Sequence, residues 1–174
     1  MKNAVIYTTP VLPWPADQGS KRFLLETGRA LQHLGPVHWV TRSIGEQCDA
    51  LAQLRSEGFA VHLDESFIRQ DPASRLSRRI GIDWRAWRRG VPREQVFVAT
   101  RNVRRHVARL ARELPGALGV AAYWTAAEVL EEIPRGRRVL VAADVESHAA
   151  LEARRRGDEE ADQRRIDRLR SAER

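Results

Sequence analysis

NAVIYTTPVLPWPADQGSKRFLLETGRALQHLGPVHWVT, residues Asn3 to Thr41, sets out strand, loop, helix and strand in that order. Asn3 to Thr8 is apolar nearly throughout and rich in β-formers, the pattern of a strand buried on both faces. Thr9 to Ser20 carries Pro10, Pro13 and Pro15, which exclude regular structure. Ser20 is placed to cap the helix that follows. Phe23, Leu24, Ala30, Leu31 and Leu34 fall on one stripe at helical spacing. Gly35-Pro36 stops the helix. Val37 to Thr41 is the second strand. Two parallel strands joined through a helix form a right-handed crossover, so the chain opens as a Rossmann-like α/β unit.

The alternation continues. Glu46 to Glu57 is expected as a helix ended by Gly58, and Phe59 to Leu63 as a third strand. Arg93 to Leu114 reads as one long helix with Val96, Val103, Val107, Leu110 and Leu114 inward. Gly119 to Trp124 is the next strand. Thr125 to Glu132 is a short helix, with Thr125 as cap and Glu128 completing a capping box. Val139 to Ala143 reads as a short buried strand. The expected architecture is α/β: a single Rossmann-like domain over residues 1–146, its mostly parallel sheet flanked by helices. Two segments depart from it. Residues 66–90 form an arginine-dense excursion containing Trp84 and Trp87. Residues 147–174 read as a charged helix with Leu151, Ile166 and Leu169 as its sparse apolar positions, suited to a connector.

The 174 residues suit one domain, and a 43% hydrophobic fraction supplies a core. The single cysteine, Cys48, excludes an internal disulfide and a cysteine-rich metal site; it reads as a small, partly buried residue. No apolar run approaches the ~20 residues of a membrane span. The first strand starts too early for a signal peptide, so the expected location is the cytoplasm. The formal charge is +7, and among the 30 basic residues Lys2 and Lys21 are the only lysines. A surface of this kind attracts nucleic acid, anionic lipid or phosphorylated ligands.

The Thr9–Gly19 loop leaves the carboxyl end of the first strand, the edge at which open α/β sheets bind ligands. The helix N-terminus there offers free N–H groups to an anion, and Gly19 permits close backbone approach. The loop matches neither GxGxxG nor GxxxxGK[ST], which removes the dinucleotide fingerprint and the P-loop. An ordinary strand-to-helix turn is the plain alternative. In the 66–90 segment, Trp84, Arg85, Trp87 and Arg88 suit a membrane interface with anionic headgroups, or an acidic acceptor. The alternatives are tryptophans packed on the core and arginines in solvent. His33, His38, His62, His106 and His148 show no metal-ligand spacing and are assigned structural or surface roles.

The stretch TPVLPWPADQGSKRFLLETGRALQHLGPVHWVTRS resembles the opening of GT-B glycosyltransferases of the large retaining, family 4-like group that uses nucleotide-sugar donors. Asp17, Gly19, Ser20, Lys21, Arg22, Ala30, Leu31, Gly35, Val37 and Val40 carry the likeness. RRVLVAADVESHAALEARRR is similar to the group's strand that ends at an acidic turn before a charged helix, with Asp144, Glu146 and Ser147 in place. It departs from that pattern in having Val141 or Ala142 where the first acidic residue falls. His148 stands in the helix rather than at the strand end.

The resemblance implies half of a GT-B architecture. Gly19 is expected to give its N–H to the donor diphosphate, helped by Ser20 and by the charge of Lys21. Asp17, Asp144 and Glu146 are expected to face acceptor hydroxyls, with helix capping as the other role for Asp144. No catalytic side chain is assigned, because such enzymes work by positioning and by stabilising the leaving diphosphate. The co-substrate is a nucleotide sugar; no cofactor or metal is expected. The implied partner is a C-terminal donor-binding domain, absent here and supplied in cis or in trans, without which the chain is expected to be inactive. A lipid-linked acceptor would place it peripherally on the inner face of a membrane. The alternatives are a basic nucleic-acid-binding module, for which no reader motif is present, and a non-catalytic α/β domain that oligomerises through a sheet edge.

Overall fold

Five short strands form one sheet in the order β3-β2-β1-β4-β5, every neighbouring pair parallel. The strands are β1 (Val5–Thr8), β2 (Val37–Arg42), β3 (Ala60–Asp64), β4 (Leu118–Ala122) and β5 (Arg138–Val141). The helices are α1 (Gly19–Gln32), α2 (Cys48–Ser56), α3 (Pro72–Arg89), α4 (Arg93–Val98) and α5 (Arg101–Glu113). A 3₁₀ segment, Trp124–Glu132, links β4 to β5. These come from a computed structural model that describes residues 3–17, 19–42, 48–64 and 72–141. The expected α/β, Rossmann-like domain is therefore what this chain forms. The expected terminal helix, Asp144, Glu146 and the segment 65–71 lie outside the described residues.

Alternation along β1 feeds two cores. Val5 and Tyr7 face α1 and α2, joining Leu24, Leu25, Trp39 and Leu54. Ile6 faces α5 and the 3₁₀ segment, joining Val40, Val103, Val107, Leu110, Val129 and Ile133. Trp39 centres the first core. Its ring meets Tyr7 edge-on at 4.7 Å and Phe59 at 5.1 Å, and its Nε1 donates to Thr9 Oγ1 at 2.8 Å. The tight approach of α1 to β2 requires Gly28, where a Cβ would stand 2.5 Å from the Trp39 ring.

Several expectations change. In α1 the buried face is Leu24, Leu25 and Gly28; Phe23 and Ala30 are exposed, as is Leu34 just beyond the helix. Ser20 lies inside α1, which begins at Gly19, so it is not the cap. The helix expected over Arg93–Leu114 is two, separated at Ala99-Thr100. Thr100 caps α5 by accepting from the Val103 N–H and gives its own hydroxyl proton to Asp64. The excursion, from Pro72 onward, is the continuous helix α3. The Thr125–Glu128 capping box does not form: Tyr123 holds the cap position, and Glu128 turns to Arg104 and Arg89. β4 ends at Ala122, two residues before Trp124. β5 is an edge strand among the described residues, with Val139 and Leu140 exposed, so it is not buried. Cys48 is exposed rather than partly buried.

Candidate functional site

The strand order reverses at β1 and β4. From β1 the chain moves to β2 and β3 on one side; β4 and β5 lie on the other. The segments leaving β1 and β4 therefore diverge at the carboxyl edge, where sheets of this order place their ligand crevice.

One wall is the loop after β1, held by four bonds. Thr9 Oγ1 donates to Val11 O and accepts from Trp39 Nε1, Thr41 Oγ1 donates to Thr9 O, and Arg42 Nε donates to Pro10 O. Arg42 is itself buried, stacked 3.2 Å from the Phe97 ring centroid. Burial lowers its pKa to about 10, against the raising effect of the Asp64 charge. Asp64, at the end of β3, is buried as well and accepts from Thr100 Oγ1 at 2.5 Å and Asn102 Nδ2 at 3.1 Å. These groups fix the loop and the start of α5, and the sequence reading did not single them out. The signal was present in VHWVTR: an arginine ending an otherwise apolar strand.

Gly19 and Ser20 open α1 at this edge. Both are exposed, and a Cβ on Gly19 would meet nothing within 4 Å. Lys21 and Asp17, assigned to different ligands, are joined: Lys21 Nζ lies 2.9 Å from Asp17 Oδ1. An exposed i,i+4 pair of this kind contributes about 0.3–0.5 kcal/mol, so a ligand phosphate can replace the carboxylate. Arg22 Nε donates to Ala16 O and steadies the loop end.

The opposite wall begins at Tyr123, directly after β4. Its φ of 68° with ψ of 146° is a conformation a side-chain-bearing residue adopts at a cost of about 1–3 kcal/mol. Its N–H donates to Val141 O, and its ring meets Phe23 of α1 edge-on at 6.3 Å. Strain of this kind concentrates at functional sites, and here it turns the chain sharply at the rim of the crevice.

Trp84 and Trp87 do not pack on the core. They lie on α3 with Leu76 and Ile80, and these four side chains are 52%, 80%, 61% and 60% exposed respectively. Positions 76, 80, 84 and 87 recur at helical spacing, giving one apolar stripe. The core contact of α3 is Ile82 and Ala86, on a different face. Arg88 sits over the Trp84 ring at 5.2 Å, whereas Arg85 bends back to donate to Gly81 O. No described helix is long and apolar enough to cross a membrane.

Three of the histidines meet. His38 Nδ1 and His62 Nε2 are 3.2 Å apart, and the His62 and His106 rings lie 6.2 Å apart. Among the described residues no group of three or more His, Cys, Asp or Glu side chains has metal-binding geometry. Burial first, then the positive charges of His38, His106 and Arg109, together lower the His62 pKa to about 4, with Glu113 opposing. Burial also lowers that of His38, again against Glu113. In the unfolded chain these rings bind protons below about pH 6.5, while the folded form keeps His62 neutral down to about 4. Stability is therefore expected to be intact above pH 6.5 and to fall as pH drops towards 4, by about 1 kcal/mol after allowing for solvent screening of half-exposed rings. Denaturant midpoints measured across that window check this. His62→Gln should flatten the profile, and an unchanged slope in the variant rejects the assignment.

Comparisons with protein-family models, with curated proteins and with solved structures return no match to this chain.

Proposed function

We propose that this chain is the acceptor-side domain of a GT-B-type glycosyltransferase that moves a sugar from a nucleotide-sugar donor. The observation that carries the reading is the position of Gly19 and Ser20. Both residues are exposed and begin a 14-residue helix at the carboxyl edge where the strand order reverses, a site suited to a diphosphate. Lys21 exchanges Asp17 for a donor phosphate, and Asp17 is thereby released towards acceptor hydroxyls. Asp144 and Glu146, outside the described residues, are assigned to the acceptor by the family resemblance alone. A second, donor-binding domain in cis or in trans holds the rest of the nucleotide sugar. The chemistry asked of this half is positioning and stabilisation of the leaving diphosphate.

Uridine and guanosine diphosphates, titrated into the ¹⁵N-labelled chain, should shift the Gly19 and Ser20 amides first, at millimolar affinity. Gly19→Pro removes one N–H at the first helical position, where proline is well tolerated. It should leave the fold intact and weaken binding by about tenfold, the loss of one hydrogen bond to a charged group. Saturating nucleotide without a shift at these amides would sink the proposal.

The α3 stripe favours a membrane-bound setting, with the acceptor lipid-linked and the domain peripheral to the inner face. Tryptophan beside Arg79, Arg85, Arg88 and Arg89, against Asp83, makes α3 suited to lie in an anionic interface. Phosphatidylglycerol vesicles should sediment the chain and phosphatidylcholine vesicles should not. Trp84→Ser/Trp87→Ser should weaken that association at least tenfold; equal pelleting of variant and parent removes α3 from the contact. The nucleic-acid alternative is not favoured: among the described residues the strand aromatics Tyr7 and Trp39 are fully buried and offer no base-stacking platform.

A further inference from the structure

Beside the apolar stripe, but on another face of α3, is a cavity of about 410 Å³ lined by five arginines. Arg85 and Arg89 come from α3; Arg101, Arg104 and Arg105 come from α5. The rest of the lining is Val96, Ala99 and Ala108, with one carboxylate, Glu132, which Arg104 holds at 2.8 Å. The arginines fall into two classes. Arg104 is spent on Glu128, Glu131 and Glu132, and Arg89 on Glu128. Arg85, Arg101 and Arg105 have no carboxylate partner among the described residues: Arg85 Nε donates to Gly81 O, and Arg105 Nη1 reaches Asn102 Oδ1 at 3.4 Å.

The placement of that charge opposes the stability of the chain on its own. Arg101, Arg104 and Arg105 occupy the first turn and a half of α5, a helix with no acidic residue in its first turn. The positive end of a helix dipole disfavours cations. Arg101 and Arg105 are also i,i+4 neighbours, as are Arg85 and Arg89 across the cavity, and like charges at that spacing repel. Asp64, bonded to Thr100 and Asn102, answers part of the dipole at the start of α5, and Glu128 pairs Arg89; a multiply charged anion between the helices would offset the charge that remains at Arg85, Arg101 and Arg105. Guanidinium groups suit phosphate oxygens because they can donate two parallel hydrogen bonds.

We propose that this cavity is a binding site for a small molecule bearing two or more phosphoryl groups, held by Arg85, Arg101 and Arg105. The site is separate from the Gly19 crevice and stands whether or not that crevice binds a donor.

Inorganic pyrophosphate is the probe, with inorganic phosphate as the weaker comparison, in calorimetric and thermal-shift titrations at 150 mM salt. Pyrophosphate should bind at least tenfold more tightly than phosphate and should raise the melting temperature. Arg101→Glu/Arg105→Glu should weaken it at least tenfold while leaving the unliganded fold as stable as the parent or more so, since it places anions at the helix N-terminus. Gly19→Pro should leave the component of pyrophosphate binding that depends on Arg101 and Arg105 unchanged, which separates it from the donor crevice. Arg55→Glu/Arg135→Glu changes net charge equally at exposed positions elsewhere and should also leave it unchanged. Equal weakening in that control reduces the effect to general charge attraction and overturns the proposal, as does the absence of binding in the parent. Displacement of pyrophosphate by phosphatidylglycerol vesicles, dependent on Arg101 and Arg105, would put a lipid headgroup in the cavity and overturn the small-molecule assignment.

Discussion

Replacing Trp39 with alanine is expected to cost about 3–5 kcal/mol, a large part of the stability of a domain this size. The ring has no solvent exposure and fills the space between β2, α1 and the start of β3. Its removal leaves a cavity that Gly28, lacking a side chain, cannot fill. It also deprives Thr9 Oγ1 of its donor, loosening the loop that forms one wall of the crevice. Trp39→Phe keeps much of the volume and loses that bond, so it should cost about 1–2 kcal/mol. Chemical denaturation of the two variants separates packing from anchoring. An alanine variant within 1 kcal/mol of the parent would show that Trp39 does not organise this core.

Arg104→Leu is expected to cost about 2–3 kcal/mol. Its guanidinium meets Glu128 and Glu132 at 2.8 Å and Glu131 at 3.4 Å. Partial burial disfavours the cation, but hydrogen bonding to Glu132 and the three carboxylate charges hold its pKa above the ordinary arginine value. The larger effect falls on Glu128, whose side chain is only 9% exposed and whose Oε2 has no partner among the described residues. Without Arg104 this carboxylate keeps Arg89 alone. Removing one partner of a buried pair is worse than removing both, so Arg104→Leu/Glu128→Leu should recover part of the loss. Arg104→Lys should recover little, since one ammonium cannot span three carboxylates. A single variant as stable as the parent, measured by urea denaturation, contradicts this account.

The parts of the fold legible in the sequence are those governed by local pattern. The apolar runs of β1, β2 and β4, and the stops at Gly35-Pro36 and Gly58, speak for themselves; Gly58 adopts a φ of +86° that favours glycine. The parts that were missed depend on partners distant in sequence. Val96, Val103, Val107 and Leu110 keep helical spacing straight through Ala99-Thr100, so nothing local reveals the break. The bond from Thr100 to Asp64, on another element, is one that pattern reading does not show. Thr125 and Glu128 have capping-box spacing, but charge pairing with Arg104 outweighs that local device. The apolar run into β5 reads as buried because composition does not distinguish an edge strand from an inner one.

The candidate site divides in the same way. Gly19 follows from its position after the first strand. Lys21 and Asp17 are four apart, a spacing that permits the observed pair, whereas the family resemblance directs them to separate ligands. The twist at Tyr123 has no sequence signature, because tyrosine is not a residue one expects at positive φ. The apolar positions of α3 are plain in the sequence, but their orientation away from the core is a property of the packing alone.

The strand order also bears on how the chain comes to be folded. Val5 pairs with Val37 on one side and with Leu118 on the other. During synthesis from the N-terminus, β1, β2 and β3 can assemble with their helices well before β4 exists. Until residues 118–122 emerge, the far side of β1 presents unsatisfied amides and carbonyls beside some of the most apolar surface in the molecule. Pairings this distant in sequence form slowly, and an open apolar edge invites association with other nascent chains. The strand that becomes the centre of the sheet is thus, until β4 emerges, its most vulnerable border.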